Sequence, residues 1–268
     1  MEYSFIQKKV TVTVSKFYLT LLFTVLKSRI VPVLLINDGY VVKTTKFSNP
    51  RYVGDPINIV RIFNEKEADE LILFDIGIKE KQQIDYNFIK NIAMNARMPL
   101  CYGGGIYNIE QVEKIFLMGI EKISISRSFI KNPALLYKIA NKFGAQSTVV
   151  TLDIDKINKD VYRIGENLIC GIKKIKELIQ SANDYGVGEI IINCMHKDGT
   201  EQGYDQDLLD ELYFIAKSPL TIVGGASSLE NIFLVAKKYP FIGLGVGNIF
   251  IYKGKNKAVL INYPSVEK

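Results

Sequence analysis

The chain has 268 residues, 48% of them hydrophobic and 23% charged, with 20 glycines and 8 prolines, which excludes wholesale disorder and collagen-like or low-complexity character. The net charge of +6 comes from lysines and arginines spread along the chain, with no basic block of the kind that tracks nucleic acid. Cys101, Cys170 and Cys194 are too few for a disulfide framework and point to a reducing, cytoplasmic setting, and one histidine, His196, excludes multi-histidine zinc chemistry.

In chain order, the first feature is an apolar run, Phe17 to Leu26, preceded by Lys8, Lys9 and Lys16. It is too short to span a bilayer, and Lys27, Ser28 and Arg29 follow it in place of a small-residue cleavage site. Residues 1–25 therefore read as an extension, either a surface segment or a start assigned too far upstream. Residues 26–268 read as one domain with no membrane attachment.

From there, short β-branched runs alternate with helical patterns. The runs are Ile30–Ile36, Leu71–Asp75, Leu100–Tyr102, Ile123–Ser126, Thr148–Asp153, Ile190–Asn193, Leu220–Val223 and Ile242–Val246. Each is apolar at most positions, as strands buried on both faces of a parallel sheet must be. The helical patterns between them are Ile57–Phe63, Tyr86–Ala96, Ile109–Met118, Pro133–Phe143, Ile172–Tyr185, Asp207–Ala216 and Leu229–Lys237. This alternation predicts an α/β fold, a (β/α)8 barrel (TIM barrel). A doubly wound dinucleotide fold is disfavoured, because Gly103-Gly104-Gly105 lacks the third-glycine spacing. The segment around Glu189 restates that around Glu70, and the one around Gly224 restates that around Gly104, roughly 120 positions apart. Two half-barrels account for this repeat.

In such a barrel chemistry sits on the loops that follow the strands. Gly104-Gly105 and Gly224-Gly225 both lie between a strand and a helix, where backbone N–H groups can approach an anion. Two such loops related by the repeat suggest a ligand with a phosphate at each end; tight βα turns are the plainer reading. Asp153 ends the fifth run and can act as a general acid or base. The repeat-related position on the first run is Leu35. Asp38-Gly39 reads as a turn, and Asp155 as a loop carboxylate that could deputise. Arg29, Glu70, Lys122 and Glu189 each stand just before a run, so four charges ring the opposite rim. That ring is either a stabilising ion-pair network or a polar gate to the barrel axis. His196, in the loop after the sixth run, is either a residue beside the substrate or an exposed histidine, and Cys194 reads as a core cysteine.

The segments RIVPVLLINDGYVVK, MPLCYGGGI, FGAQSTVVTLDID, GVGEIIINCMHKDGTEQGYD and IVGGAS together resemble HisF, the cyclase subunit of imidazole glycerol phosphate synthase, in order from about Leu26 to Asn248. The resemblance implies a barrel that takes ammonia from a separate HisH-like glutaminase subunit at its bottom, as a heterodimer. The ammonia would react at the top with a bisphosphorylated ribonucleotide, giving imidazole glycerol phosphate and an aminoimidazole carboxamide ribotide. No metal or cofactor is implied. It makes Arg29, Glu70, Lys122 and Glu189 the ammonia gate and Asp153 a catalytic carboxylate. Gly104, Gly105, Ser126, Gly199, Gly224, Gly225, Gly247 and Asn248 become phosphate-binding residues, and Lys43 and His196 substrate-loop residues. Leu35 departs from the family, which carries a second catalytic Asp there. Ser126-Arg127 stands for Asn-Thr, Asn193 for Thr and His196 for Asp.

The ending GNIFIYKGKNKAVLINYPS lacks the family's long final helix and resembles a HisF-like branch, the WbuZ-type proteins of lipopolysaccharide gene clusters. That likeness implies ammonia supply to a third enzyme, a sugar amidotransferase forming an acetamidino group. With Leu35, this makes surface-sugar amidation the first expectation. The alternative is the cyclase reaction of histidine biosynthesis, and a third is a barrel that only binds and activates its glutaminase.

Overall fold

The computed structural model describes residues 28–78, 83–254 and 256–264. The expected extension, residues 1–25 with the apolar run from Phe17, lies outside the described residues. Eight parallel strands close on themselves: β1 (Arg29–Asn37), β4 (Leu71–Asp75), β5 (Leu100–Gly103), β6 (Lys122–Ile125), β7 (Thr148–Lys156), β10 (Glu189–Cys194), β11 (Leu220–Val223) and β12 (Gly243–Val246). β12 returns to β1 in parallel, with Arg29 opposite Gly243 and Pro32 opposite Val246. The fold is the expected (β/α)8 barrel. Its strands coincide with the eight apolar runs to within a few residues at each end.

The helices sit outside the sheet. They are α1 (Pro56–Glu65), α2 (Tyr86–Asn95), α3 (Ile109–Leu117), α4 (Arg127–Lys131), α5 (Ala134–Phe143), α6 (Ile172–Asp184), α7 (Gln206–Leu212), α8 (Leu229–Lys238) and the single turn α9 (Asn248–Ile251). Local chemistry sets their starts. Asp55 accepts from Asn58 N at 2.9 Å with Pro56 at the first helical position, and Asn108 with Gln111 forms a reciprocal capping box. α7 stops at Leu212, short of the predicted Ala216.

Alternation along each strand divides the core. Outward residues such as Leu34, Leu71, Ile123 and Ile190 pack beneath the helices, while Val31, Val33, Ile72, Phe74, Cys101, Val149, Ile191 and Val223 fill the lumen. Two hairpins on the barrel strands were not foreseen. β2 (Tyr40–Thr45) and β3 (Ser48–Gly54) fold back antiparallel from β1, and β8 (Tyr162–Ile164) and β9 (Leu168–Cys170) do the same from β7. These hairpins follow the first strand of each half-barrel, as the internal repeat requires. Asp38 and Gly39 make the first turn with φ of 54° and 81°, the positive-φ geometry of a tight hairpin, so the turn reading of Asp38 holds.

After α9 a two-strand hairpin, β13 (Tyr252–Lys253) with β14 (Ala258–Val259), leads to an extended tail. Tyr263 in that tail is buried between Phe63 and Phe250, and its hydroxyl donates to Ile30 O at 3.0 Å. A packed tyrosine thus covers the side of the barrel after the last strand. No helix among the described residues is long and apolar enough to cross a membrane.

Candidate functional site

At the N-terminal ends of the strands, the four rim charges meet. Arg29 donates to Glu70 at 2.7 Å and to Glu189 at 2.9 Å, and Lys122 lies 2.7 Å from Glu70 and 3.1 Å from Glu189. Around the barrel the order is Arg29, Glu70, Lys122, Glu189, so signs alternate and each charge touches both neighbours of opposite sign. Thr221 adds a hydroxyl donated to Glu189 at 2.6 Å. Burial pushes the Glu189 carboxyl up, but Arg29 and Lys122 outweigh it and hold it below the usual range. Burial likewise lowers Lys122, and Glu189 and Glu70 more than reverse it. The ring closes the lumen at this end with four mutually paired charges.

Above the ring the lumen is mostly apolar. Cys101 lies there, its thiol pushed well up by burial, so it is not a thiolate nucleophile. Cys194 faces outward into the core and is pushed up for the same reason, as expected of a core cysteine. One polar pair interrupts the lumen wall: Ser124 and Thr151 share a hydrogen bond of 2.6 Å, fully enclosed.

At the C-terminal ends Asp153 stands on β7. Its carboxylate accepts from Asn193 Nδ2 at 2.8 Å and from Ser126 Oγ at 3.1 Å, Asn193 being its register partner on β10. β1 lies diametrically opposite, and Leu35 faces the lumen from it. Asp155 is engaged by Arg163 instead of facing a ligand.

A cavity opens beside this point. It brings together Lys43, Gly199, Gly224, Gly225, Gly247 and Asn248, together with Leu35 and Asn193. Gly104, Gly105, Ser126, Asp153 and His196 are not part of its lining. The two glycine loops share one construction. Gly104, with φ of 148°, would place a Cβ 2.7 Å from Asp75 O, and Gly224, with φ of 97°, would place one 2.6 Å from Cys194 O. Each glycine lets its loop press on the end of the preceding barrel strand. Asn248 ties the last loop down by donating to Gly199 O at 3.2 Å.

Lys43 comes from β2 and is buried. Its Nζ donates to Val33 O on β1 at 2.6 Å, and burial lowers its pKa to about 8, with Asp198 acting weakly the other way. Asp198, two residues after His196, docks the hairpin. Its carboxylate accepts from Thr44 Oγ1 at 2.6 Å and from Phe47 N at 3.1 Å. The Asp-Gly pair at Asp198-Gly199 was the available signal, but its partners lie more than 150 positions away.

His196 is clasped at both ring nitrogens. Nδ1 accepts from Lys156 N at 3.2 Å, which leaves Nε2 to donate to Asp205 Oδ2 at 2.8 Å. Asp205 also caps α7. The histidine thus joins the loop after β10 to β7, at the base of the second hairpin, and is not an exposed loop residue. Arg127 pairs with Glu166 at 2.7 Å, joining the loop after β6 to the same hairpin. No cluster of metal-ligating side chains is present among the described residues.

Comparison with known proteins decides the family. The model of a family described as histidine biosynthesis protein matches residues 29–257. The chain belongs to that family. A provisionally named imidazole glycerol phosphate synthase subunit HisF of Leptospira interrogans is 44% identical over 247 residues, covering 90% of this chain and 97% of the relative. A provisionally named subunit of the same synthase from Vibrio vulnificus is 42% identical over 248 residues, covering 91% and 95%. The imidazole glycerol phosphate synthase subunit HisF of Streptococcus mutans is 34% identical over 231 residues, covering 85% and 92%. The HisF resemblance read from the motifs is therefore correct at the level of the family.

Proposed function

We propose that this chain is the synthase subunit of a HisF-type glutamine amidotransferase. It receives ammonia from a HisH-like glutaminase at the end closed by Arg29, Glu70, Lys122 and Glu189 and transfers it to a phosphorylated acceptor at the opposite end. The observation that carries this reading is the alternating charge ring at one end of a lumen whose other end opens beside glycine loops and Lys43. Fixed, buried charge around an axis is a filter: it offers hydrogen-bonding groups to a small polar molecule and excludes bulk solvent.

The names of the relatives favour the cyclase reaction of histidine biosynthesis, in which ribotide and ammonia give imidazole glycerol phosphate and the aminoimidazole carboxamide ribotide. In this reading Asp153 moves a proton, held as a carboxylate acceptor by Asn193 and Ser126. Gly224, Gly225, Gly199, Gly247 and Asn248 hold one phosphate, and Gly104, Gly105 and Ser126 the other. Lys43 reaches the substrate directly, and His196 positions the loop beside it.

Leu35 favours a second reading, in which the barrel passes ammonia to a third enzyme that amidates a surface sugar. Co-purification with the glutaminase, followed by glutamine and ribotide, tests the choice. Imidazole glycerol phosphate detected by mass spectrometry supports the first reading. Glutamine hydrolysis without that product, with amidation restored by a sugar-modifying partner enzyme, supports the second.

A further inference from the structure

We propose that the apolar run Phe17–Leu26, just before the barrel, packs against the outer flank of α8 and fills the place that an eighth outer helix would hold.

A closed barrel of eight parallel strands carries a helix after each strand, and the one after β12 would lie between α8 and α1. Among the described residues β12 is followed only by the single turn α9, a short hairpin and an extended tail. That tail leans on α1, where Tyr263 meets Phe63. The other side of the gap is bounded by α8. Ile232 and Val235 turn the inner face of α8 to the core. Lys238 and Tyr239 at its end reach Asp210 of α7 at 2.9 and 2.7 Å, which puts α7 on one flank. At about 3.6 residues per turn, Leu229 and Phe233 share a stripe on the opposite flank, toward the gap. They are 41% and 55% exposed. Phe241, just past the end of α8, is exposed as well.

Chain connectivity selects the occupant. Arg29 N donates to Ile242 O at 3.2 Å, so the chain enters β1 beside Phe241. Only Lys27 and Ser28 separate Leu26 from Arg29, and three Cα steps reach roughly 11 Å at full stretch. The end of the run is therefore tethered next to the end of the exposed stripe. Ten residues long, the run matches the ten residues of α8, and it holds no charged side chain. Such a run needs cover from water, and it is too short to find that cover by spanning a bilayer. The stripe is too narrow for a stable interface between two copies, which buries about 1,200 Å² or more. A tethered segment needs no such area, because it meets the stripe at high effective concentration.

Hydrogen exchange on the full chain tests this, with light scattering to fix its mass in solution. The expected wild type is a monomer in which residues 17–26 exchange on the order of tenfold or more slowly than an unstructured peptide. Phe233→Ser should raise exchange over 17–26 toward the peptide rate, while β1 keeps its protection and so reports an intact barrel. Leu22→Ser combined with Phe23→Ser should in turn raise exchange over residues 229–238. Exchange over 17–26 at the peptide rate in the wild type overturns the proposal without need of any variant. Protection that Phe233→Ser leaves unchanged overturns it too. A dimer that Phe233→Ser dissociates gives the stripe to a second copy and overturns it equally. Protection of 17–26 that arises only when phosphatidylcholine–phosphatidylglycerol vesicles are added assigns the run to a membrane surface, and the proposal falls.

Discussion

Gly243 gives Thr221 the space it occupies: a Cβ on Gly243 would lie 1.9 Å from the Thr221 hydroxyl oxygen. That hydroxyl donates to Glu189 at 2.6 Å, so a missing side chain at the start of β12 supports one corner of the charge ring. Gly243→Ala should therefore displace Thr221 and cost roughly 1–3 kcal/mol by overpacking. Chemical denaturation measures the cost. An unchanged midpoint would mean that Thr221 can turn away without loss.

The ring also predicts an uncoupling variant. Lys122→Glu leaves Glu70 and Glu189 facing a third carboxylate in place of a shared cation. Glutamine-dependent product formation should fall more than formation driven by added ammonium salt. Equal losses from both nitrogen sources would remove the gate assignment. Stability should lose part of its acid sensitivity in parallel, because Lys122 is one of the two cations that hold Glu189 low. The native Glu189 carboxyl is held low, so its contribution is present above the unfolded value of ~4.3 and is lost as pH falls through the folded one.

Lys43 makes a stability prediction with a definite sign. Its folded pKa of about 8 lies below the unfolded value of ~10.4. Between those values the unfolded chain binds more protons, so this group makes stability rise with pH. Lys43→Met should remove that rise and stabilise the protein below pH ~8 by roughly 1–3 kcal/mol. Thermal unfolding of the two proteins at pH 7 and pH 10 should show the difference shrinking at the higher pH. A constant difference would contradict the buried cation.

Leu35→Asp should act on the same amine. A carboxylate in the shared cavity favours the charged form of Lys43, so the rise of stability with pH that Lys43 causes should be smaller in this variant. An unchanged rise would show that Lys43 does not sense the Leu35 position.

His196→Ala removes both clasp bonds, to Lys156 N and to Asp205. The loss should be roughly 1–3 kcal/mol, with faster hydrogen exchange at Lys156 and along β8–β9. Exchange unchanged at Lys156 would show that the hairpin does not depend on the histidine.

The barrel was legible in the sequence because strands buried on both faces must be apolar throughout. Ile190–Asn193 and Leu220–Val223 could hardly be anything else between helical patterns. The rim charges were legible too, since a polar residue directly before such a run has only the barrel end to occupy. Their mutual pairing was not, because the four residues come from strands up to 160 positions apart. The hairpins escaped notice for a different reason. Ser48–Gly54 is mostly exposed and buries only Val53, so no periodic apolar signal marks it, and only pairing to β1 through β2 makes it a strand. Lys43 shows the same limit most sharply. Alone, a lysine in a polar loop reads as surface. The turn at Asp38-Gly39 folds β2 back along β1, and that tertiary step buries the amine in the cavity wall, where desolvation lowers its pKa in a way its sequence neighbours do not encode.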